Sequence, residues 1–365
     1  MNEDTQLLDT DIESALREVV RGLLADRCDP ALLVRAYDSE HTLAGDLWKP
    51  LGTELGLAGL LVPESRGGAG GSARDAAVVC EEIGRFVAPV PFLTSSVLAA
   101  TVALAGESDL VAQIAGGHTV AALLTPLSTT SIARIPAVHI DEAQRLSGRI
   151  TSVAGALEAD TLLAVVPRAQ GLEIHALDAS DAHIEPVVSL DMTRPLADIE
   201  IEDAPGRVVV SASAGETALR AALRTATAML ACEQVGIAAQ CLDMTVNYVK
   251  LRRQFGRAVG GFQALKHRLA DLYVEVETAR AAARYAAATL AAADPDTETA
   301  TALAAAYCSQ VAVHVAEEAV QLHGGIGMTW EHPAHLYLKR AKADQIALGT
   351  PAHHRERLAD LVGID

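Results

Sequence analysis

The feature that most constrains this chain is a change of apolar rhythm about a third of the way along it, reversed about ninety residues later. Thr10 and Glu13 have capping-box spacing and open an amphipathic segment. From there Leu, Val and Ala recur at three- and four-residue intervals to about Leu104, the period of helices. Between His118 and Val210 the texture becomes short Val/Ile/Leu/Thr runs broken by Pro, Gly, Asp and Ser, such as Thr161–Val166 and Ile199–Glu202, which reads as strands. Beyond Ser211 the helical period returns. Phe262, Leu265, Leu269, Leu272 and Val276 fall on one stripe of a helix that must stop near Pro295. Leu303, Tyr307, Val311, Val315 and Leu322 form the next, ending at Gly324-Gly325. The expected architecture is mainly α with a middle β domain: residues 1–117 helical, 118–210 a small antiparallel β unit, and 211–365 a bundle of long helices.

Several functional classes drop out on composition. Asp and Glu number 47 against 29 Lys and Arg, a formal charge of −18 that repels a phosphate backbone, so nucleic acid is not expected as a partner. Charge-free stretches are too short for the roughly 20 apolar residues of a membrane span. Cys28, Cys80, Cys232, Cys241 and Cys308 are scattered without C-x-x-C spacing, which fits buried thiols in a reducing compartment and neither a disulfide framework nor a zinc site. Met1-Asn-Glu-Asp4 has no basic start and no apolar run of a secretory signal, so a cytoplasmic location is expected. The glycine-rich run Pro63–Gly71 matches a dinucleotide fingerprint only loosely, since no strand leads into it, and reads as a reversal between helices.

Five fragments in order carry a resemblance: Leu57-Ala-Gly-Leu-Leu-Val-Pro-Glu64 with Gly67-Gly68, Glu81-Glu-Ile-Gly84, Arg252-Arg-Gln-Phe-Gly256, Phe262-Gln263, and Gln321-Leu-His-Gly-Gly-Ile-Gly327. Together they resemble the acyl-CoA dehydrogenase family over nearly the whole chain. The resemblance implies an N-terminal helical domain, a small antiparallel β barrel and a C-terminal four-helix bundle. It also implies FAD as cofactor, oxidation of an acyl-CoA thioester to the 2-enoyl-CoA, and an electron-transfer flavoprotein as acceptor. In the family a carboxylate removes the α-proton while hydride leaves the β-carbon for the flavin, so base, thioester and flavin must stack in register. The family's FAD site is built from two subunits. By that likeness Arg252, Phe255, Gln263, Gln321, Gly324 and Gly325 would reach a neighbour's FAD. A guanidinium matches phosphate oxygens, and paired glycines let backbone approach an anionic group. The bland readings are a solvated basic cluster around Arg252 and a simple helix stop at Gly324-Gly325.

The departures fall elsewhere. Where the family has T-E-P-x-x-G-S-D over flavin and substrate, this chain reads Leu124-Thr-Pro-Leu-Ser-Thr-Thr130. Ser152 stands where an aromatic packs against the isoalloxazine, and Ala154 where a hydroxyl would sit. The usual base position in I-Y-E-G-T is Leu348, and the minority position ahead of Val235-Gly236 is Ala226. Glu233, seven residues beyond Ala226, is displaced by about 10 Å along a helix and reads as a structural or interface carboxylate. Asp344, one turn before Leu348, is the better-placed substitute, although a mid-helix Asp beside Lys339-Arg-Ala-Lys342 is the ordinary partner of a local ion pair. His353 and His354 diverge by about 100° on a helix and do not suit one ion; His323 lies within the Q-L-H-G-G segment at the expected cofactor end, and no metal is expected.

What is lost acts on a flavin held by this chain's own β domain, and what is kept reaches across an interface. The pattern resembles the non-catalytic subunit of actinobacterial α2β2 acyl-CoA dehydrogenases, several of which act on steroid side-chain thioesters. The expected partner is a paralogous catalytic subunit, with FAD shared between the two. Two alternatives stand beside it: a self-sufficient homotetramer using Asp344, and a flavin-free helical binding or assembly protein.

Overall fold

The computed structural model describes residues 7–36 and 44–364. Helix α1 (Asp11–Arg27) opens on the capping box its spacing predicts: Glu13 N–H donates to Thr10 Oγ1 at 3.2 Å, and Thr10 N–H donates to the Glu13 carboxylate at 2.7 Å. Short helices α2 (Pro30–Ala36) and α3 (Ala44–Trp48) lead through the Leu57–Gly71 turns into α4 (Ala73–Phe86), itself capped by Ser72 and Asp75. A wide π-helical turn at Phe92–Ala99 runs into α5 (Ala100–Leu104), and α6 (Leu110–Ala115) follows.

Two four-stranded sheets come next. One has the order β1 (Ala121–Leu123), β4 (Thr161–Arg168), β5 (Gly171–Asp178), β8 (Arg207–Val210). The other runs β2 (His139–Ile140), β3 (Arg145–Ala154), β7 (Leu196–Pro205), β6 (Ala182–Val187). All pairings within them are antiparallel except β1 with β4, which is parallel. Alternation is clear in β7, where Ala197, Ile199 and Ile201 turn inward, but Leu162–Val166 of β4 are buried without a break. Both faces of β4 are covered. Leu162, Ala164 and Val166 pack between the sheets, while Leu163 and Val165 join the large helical core.

The last part is a bundle of α7 (Ala212–Leu251), α8 (Gln263–Ala291), α9 (Thr297–His323), α10 (Ala334–Asp344) and α11 (Pro351–Val362), with a hairpin of β9 (Arg253–Gln254) and β10 (Arg257–Ala258) after α7. The turn between α8 and α9 holds Pro295, as expected. The stripe expected on α9 is rotated. Leu303 is exposed, and the buried track is Ala300, Ala304, Cys308, Val311, Ala312, Val315 and Ala319. Alanines take the core face because they let α7 come close, and the bulkier Leu303 is displaced outward.

The closest approach is between α4 and α7. Gly84 lies against the carbonyl of Glu233 and Gly236 against the carbonyl of Glu81, and a Cβ on Gly236 would sit 2.8 Å from Arg85 N. No side chain fits there. We predict that Gly236→Ala lowers stability by about 1–3 kcal/mol through overpacking. Gly22→Ala on the exposed face of α1, where nothing lies within 4 Å, should gain up to about 1 kcal/mol of helix propensity. Urea midpoints of the two variants read the difference.

Candidate functional site

The β unit and the bundle meet at the turn after α10. Leu348 is buried there in the left-handed region (φ 54°), and its N–H donates to Leu127 O at 2.8 Å. Leu127 N–H in turn donates to Ser152 O at 3.0 Å, and Ser152, also left-handed (φ 56°), donates its N–H to the Asp198 carboxylate at 3.0 Å. The loop 124–130, the turn holding Ser152 and the position of Leu348 are therefore stitched backbone to backbone. Ala226 is fully buried in α7.

Beside this seam lies a buried ionic cluster. Arg194, in the loop after β6, reaches between α7 and α10: Nη2 donates to Glu233 at 2.5 Å and Nη1 to Asp344 at 2.6 Å. Arg340 on α10 donates Nε to Asp191 at 2.5 Å, Nη1 to Glu233 at 2.6 Å, and Nη2 to Thr193 Oγ1 at 2.7 Å. Burial works against the Arg340 charge, but Asp191 and Glu233 hold its pKa above the usual arginine value. Burial pushes Asp344 up to about 7, with Arg194 opposing the rise and Glu233 adding to it. The partner of Asp344 is thus not the run on its own helix but a guanidinium 150 residues earlier. Glu233 is structural, shared between two arginines. Arg194 and Asp191 gave no signal of burial in sequence. The local signature was Asp191-Met-Thr193, where Thr193 N–H closes an Asx turn on Asp191 at 2.9 Å.

At the other end of the bundle the expected cofactor residues are exposed. Arg252 ends α7, its N–H donating to Tyr248 O at 2.8 Å and its carbonyl accepting from Val259 at 2.8 Å. Phe255 and Gly256 form the two-residue tip of the β9–β10 hairpin, both at positive φ (51° and 78°). A phenylalanine in that region is strained, and this one is 88% exposed. Phe262 lies 6.1 Å from Phe255 with the Arg257 guanidinium 3.9 Å over its ring, and Gln263 starts α8. Gln321 is on the last turn of α9. Gly324 has φ 65° and ψ −142°, which only glycine adopts readily, and a Cβ on Gly324 or Gly325 would meet nothing within 4 Å.

A ladder of rings joins these two helix ends. Tyr248 stacks 4.5 Å from His323, and His323 lies 4.2 Å from His332. His323 Nδ1 donates to Ala319 O at 2.6 Å, so its buried Nε2 carries a lone pair with no partner among the described residues. Burial lowers the His323 pKa, and burial with His323 and His335 nearby takes His332 to about 4, which keeps both rings neutral at pH 7. His354 is likewise held down to about 4 by burial, its ring 5.4 Å from His353. Among the described residues no group of three His, Cys, Asp or Glu is placed to hold a metal ion, and no helix is long and apolar enough to cross a membrane.

Residues 10–114 match the family model for the acyl-CoA dehydrogenase N-terminal domain and residues 214–363 that for the C-terminal domain. The acyl-CoA dehydrogenase IpdE2 of Mycolicibacterium smegmatis is 36% identical over 94% of this chain and 96% of its own. A variant of the Tcur3481-Tcur3483 steroid ACAD superposes with a TM-score of 0.84 at 29% identity, covering 97% of this chain and 98% of that one. The ChsE4-ChsE5 complex of Mycobacterium tuberculosis gives 0.87 at 24% identity over 99% of both chains, a likeness of fold.

Removing one member of the buried cluster leaves charges without partners. Arg340→Met should cost about 3–5 kcal/mol by stranding Asp191 and Glu233. Arg220→Ala, which breaks an exposed pair with Glu216, should cost under about 1 kcal/mol. Denaturant unfolding of both variants checks the contrast.

Proposed function

The chain belongs to the acyl-CoA dehydrogenase family, and from that premise we propose that it is the non-catalytic subunit of a heteromeric, FAD-dependent acyl-CoA dehydrogenase. A paralogous partner would supply the base, the flavin-facing loop and the acyl pocket. This chain would complete the cofactor site in trans. The observation that carries the reading is that both positions where the family places its base hold hydrocarbon side chains, Leu348 and Ala226, each buried. Neither Leu348 nor Ala226 can take a proton. The two-component name of the Tcur3481-Tcur3483 steroid ACAD supports both a two-chain assembly and a steroid-derived thioester as the substrate class.

The residues for a neighbour's FAD fit the group. Arg252 offers a guanidinium to a pyrophosphate, in the bidentate geometry that suits phosphate oxygens. Gly324 and Gly325 present bare backbone at a helix end with open space where a side chain would stand. Phe255 offers an exposed ring, and Gln263 and Gln321 offer amides that both donate and accept. FAD bound there would supply a hydride acceptor for the dehydrogenation. An electron-transfer flavoprotein is the acceptor that the family resemblance implies. The part of this chain is to hold the cofactor and exclude water from it.

Binding that exists only where two chain types meet links flavin content to assembly. The chain purified alone should be colourless, and co-expressed with its partner it should be yellow, with one FAD for each pair of unlike chains. Arg252→Ala in the co-expressed complex should weaken FAD retention about tenfold or more, the value of a charge-assisted bond. Absorbance in the flavin band after gel filtration reads both. A lone chain with stoichiometric FAD that dehydrogenates a thioester, and loses this with Asp344→Asn, would establish the self-sufficient alternative instead. An assembly lacking flavin altogether would favour a binding protein.

A further inference from the structure

The cluster between the β unit and the bundle contains three carboxylates, Asp191, Glu233 and Asp344, and two guanidiniums, Arg194 and Arg340. Every one of the five side chains is 9% exposed or less, so water does not compensate an imbalance. With all five charged, they carry one negative charge more than positive, and the nearest further cation, the half-buried Lys339, acts on Asp191 and not on Asp344. A surplus charge sealed from water is costly, and a proton is the simplest way to remove it.

The geometry says where the proton sits. Both oxygens of Glu233 accept from arginines, and both oxygens of Asp191 are engaged, by Arg340 on one side and by the Thr193 N–H and hydroxyl on the other. Asp344 accepts from Arg194 through Oδ1, and its Oδ2 is buried with no partner among the described residues. Asp344 lines a cavity of about 10 Å³, together with Gln234, Ser309, Thr227 and His354. The space suits about one water molecule. Gln234 Oε1 is also buried and unpaired, since its Nε2 is spent on the Asp344 carbonyl at 3.2 Å. An acid O–H at Oδ2 has an acceptor to reach across that space.

We propose that Asp344 is a neutral acid in the folded chain and that its proton gates the clamp by which Arg194 fastens the β unit to the bundle. The groups facing it from every side agree. From α10 comes Arg340, from α7 Glu233 and Gln234, from the loop after β6 Asp191 and Arg194, and from α9 only the hydroxyl of Ser309. From α11 comes His354, which burial keeps neutral. Any opening that hydrates Asp344 returns it to an ordinary carboxylate, so opening is coupled to loss of one proton. The sign follows. An acid whose pKa is raised by folding, here to about 7, contributes stability that is fully present below its unfolded value near 4 and is progressively lost as pH climbs to about 7. Above that the dependence levels off, and the loop bearing Asp191, Thr193 and Arg194 is held less firmly. The inference concerns this chain's own interior and does not depend on the trans-FAD reading.

Asp344→Asn keeps the shape and removes the titration. Between pH 4.5 and 7 the unfolding equilibrium constant of the wild-type chain should rise relative to Asp344→Asn by about tenfold per pH unit, and the two should run parallel from pH 7.5 to 8.5. Amide hydrogen exchange of residues 191–194, corrected for intrinsic rates, should become faster over the same acid window in the wild type and not in the variant. A constant difference between the two proteins across the whole range would overturn the proposal. If the variant fails to fold, the wild type decides alone: with carboxyl-labelled aspartate, the infrared spectrum at pH 6 should show one protonated acid band that is lost by pH 8.5. A spectrum with only carboxylate bands at pH 6 would equally overturn it.

Discussion

The guanidinium of Arg194, inserted from a β-domain loop between two bundle helices, is the contact on which the rest of this structure depends. A cation removed from water must find carboxylates at hydrogen-bond distance, and Glu233 and Asp344 are held where they serve because α7 and α10 are themselves fixed by packing. Arg340 repeats the device one turn earlier on α10 and ties Asp191 into the same cluster. The β unit and the bundle are therefore pinned by buried guanidiniums shared among Glu233, Asp191 and Asp344. The backbone seam of Leu348, Leu127 and Ser152 lies alongside and closes what the cluster has drawn together.

That closure and the open end of the bundle are two sides of one economy of function. Inside, the two guanidiniums, Glu233 and Asp191 are consumed by each other, while Asp344 Oδ2 and Gln234 Oε1 are left over beside a small cavity. Outside, Phe255 is held at positive φ with its ring in solvent, Gly324 and Gly325 front open space, and His323 keeps a buried lone pair unmatched. Their concentration at one end, joined by the Tyr248–His323–His332 ladder, is what turns a set of motifs into a surface.

The bundle that carries both regions is built from small residues. Gly84 and Gly236 each lie against a carbonyl of the other helix, and alanines line the buried face of α9. Close helix approach gives stiffness without large aromatic side chains, of which the chain has few. It also places Glu233, between Cys232 and Gln234 on α7, with little freedom to move away from its arginines.

The order of helical, β and helical parts was legible from periodicity, because a face that must be buried repeats at 3.6 or 2 residues whatever its neighbours. The family fragments around Arg252, Phe255 and Gln321 were legible as family marks, since turns with positive φ leave local signatures. The sequence by itself also determined that Leu348 and Ala226 are not bases, since no fold gives a hydrocarbon a proton to exchange. What it could not determine was which charges are buried. Leu303 carried the right spacing and faces solvent, Leu162–Val166 hid alternation because both faces are covered, and Arg194 looked like any loop cation. Only the tertiary structure decided that Asp344 pairs with Arg194 and not with its own helix, because that choice rests on the distance between groups 150 residues apart. Local pattern carries no record of such a distance.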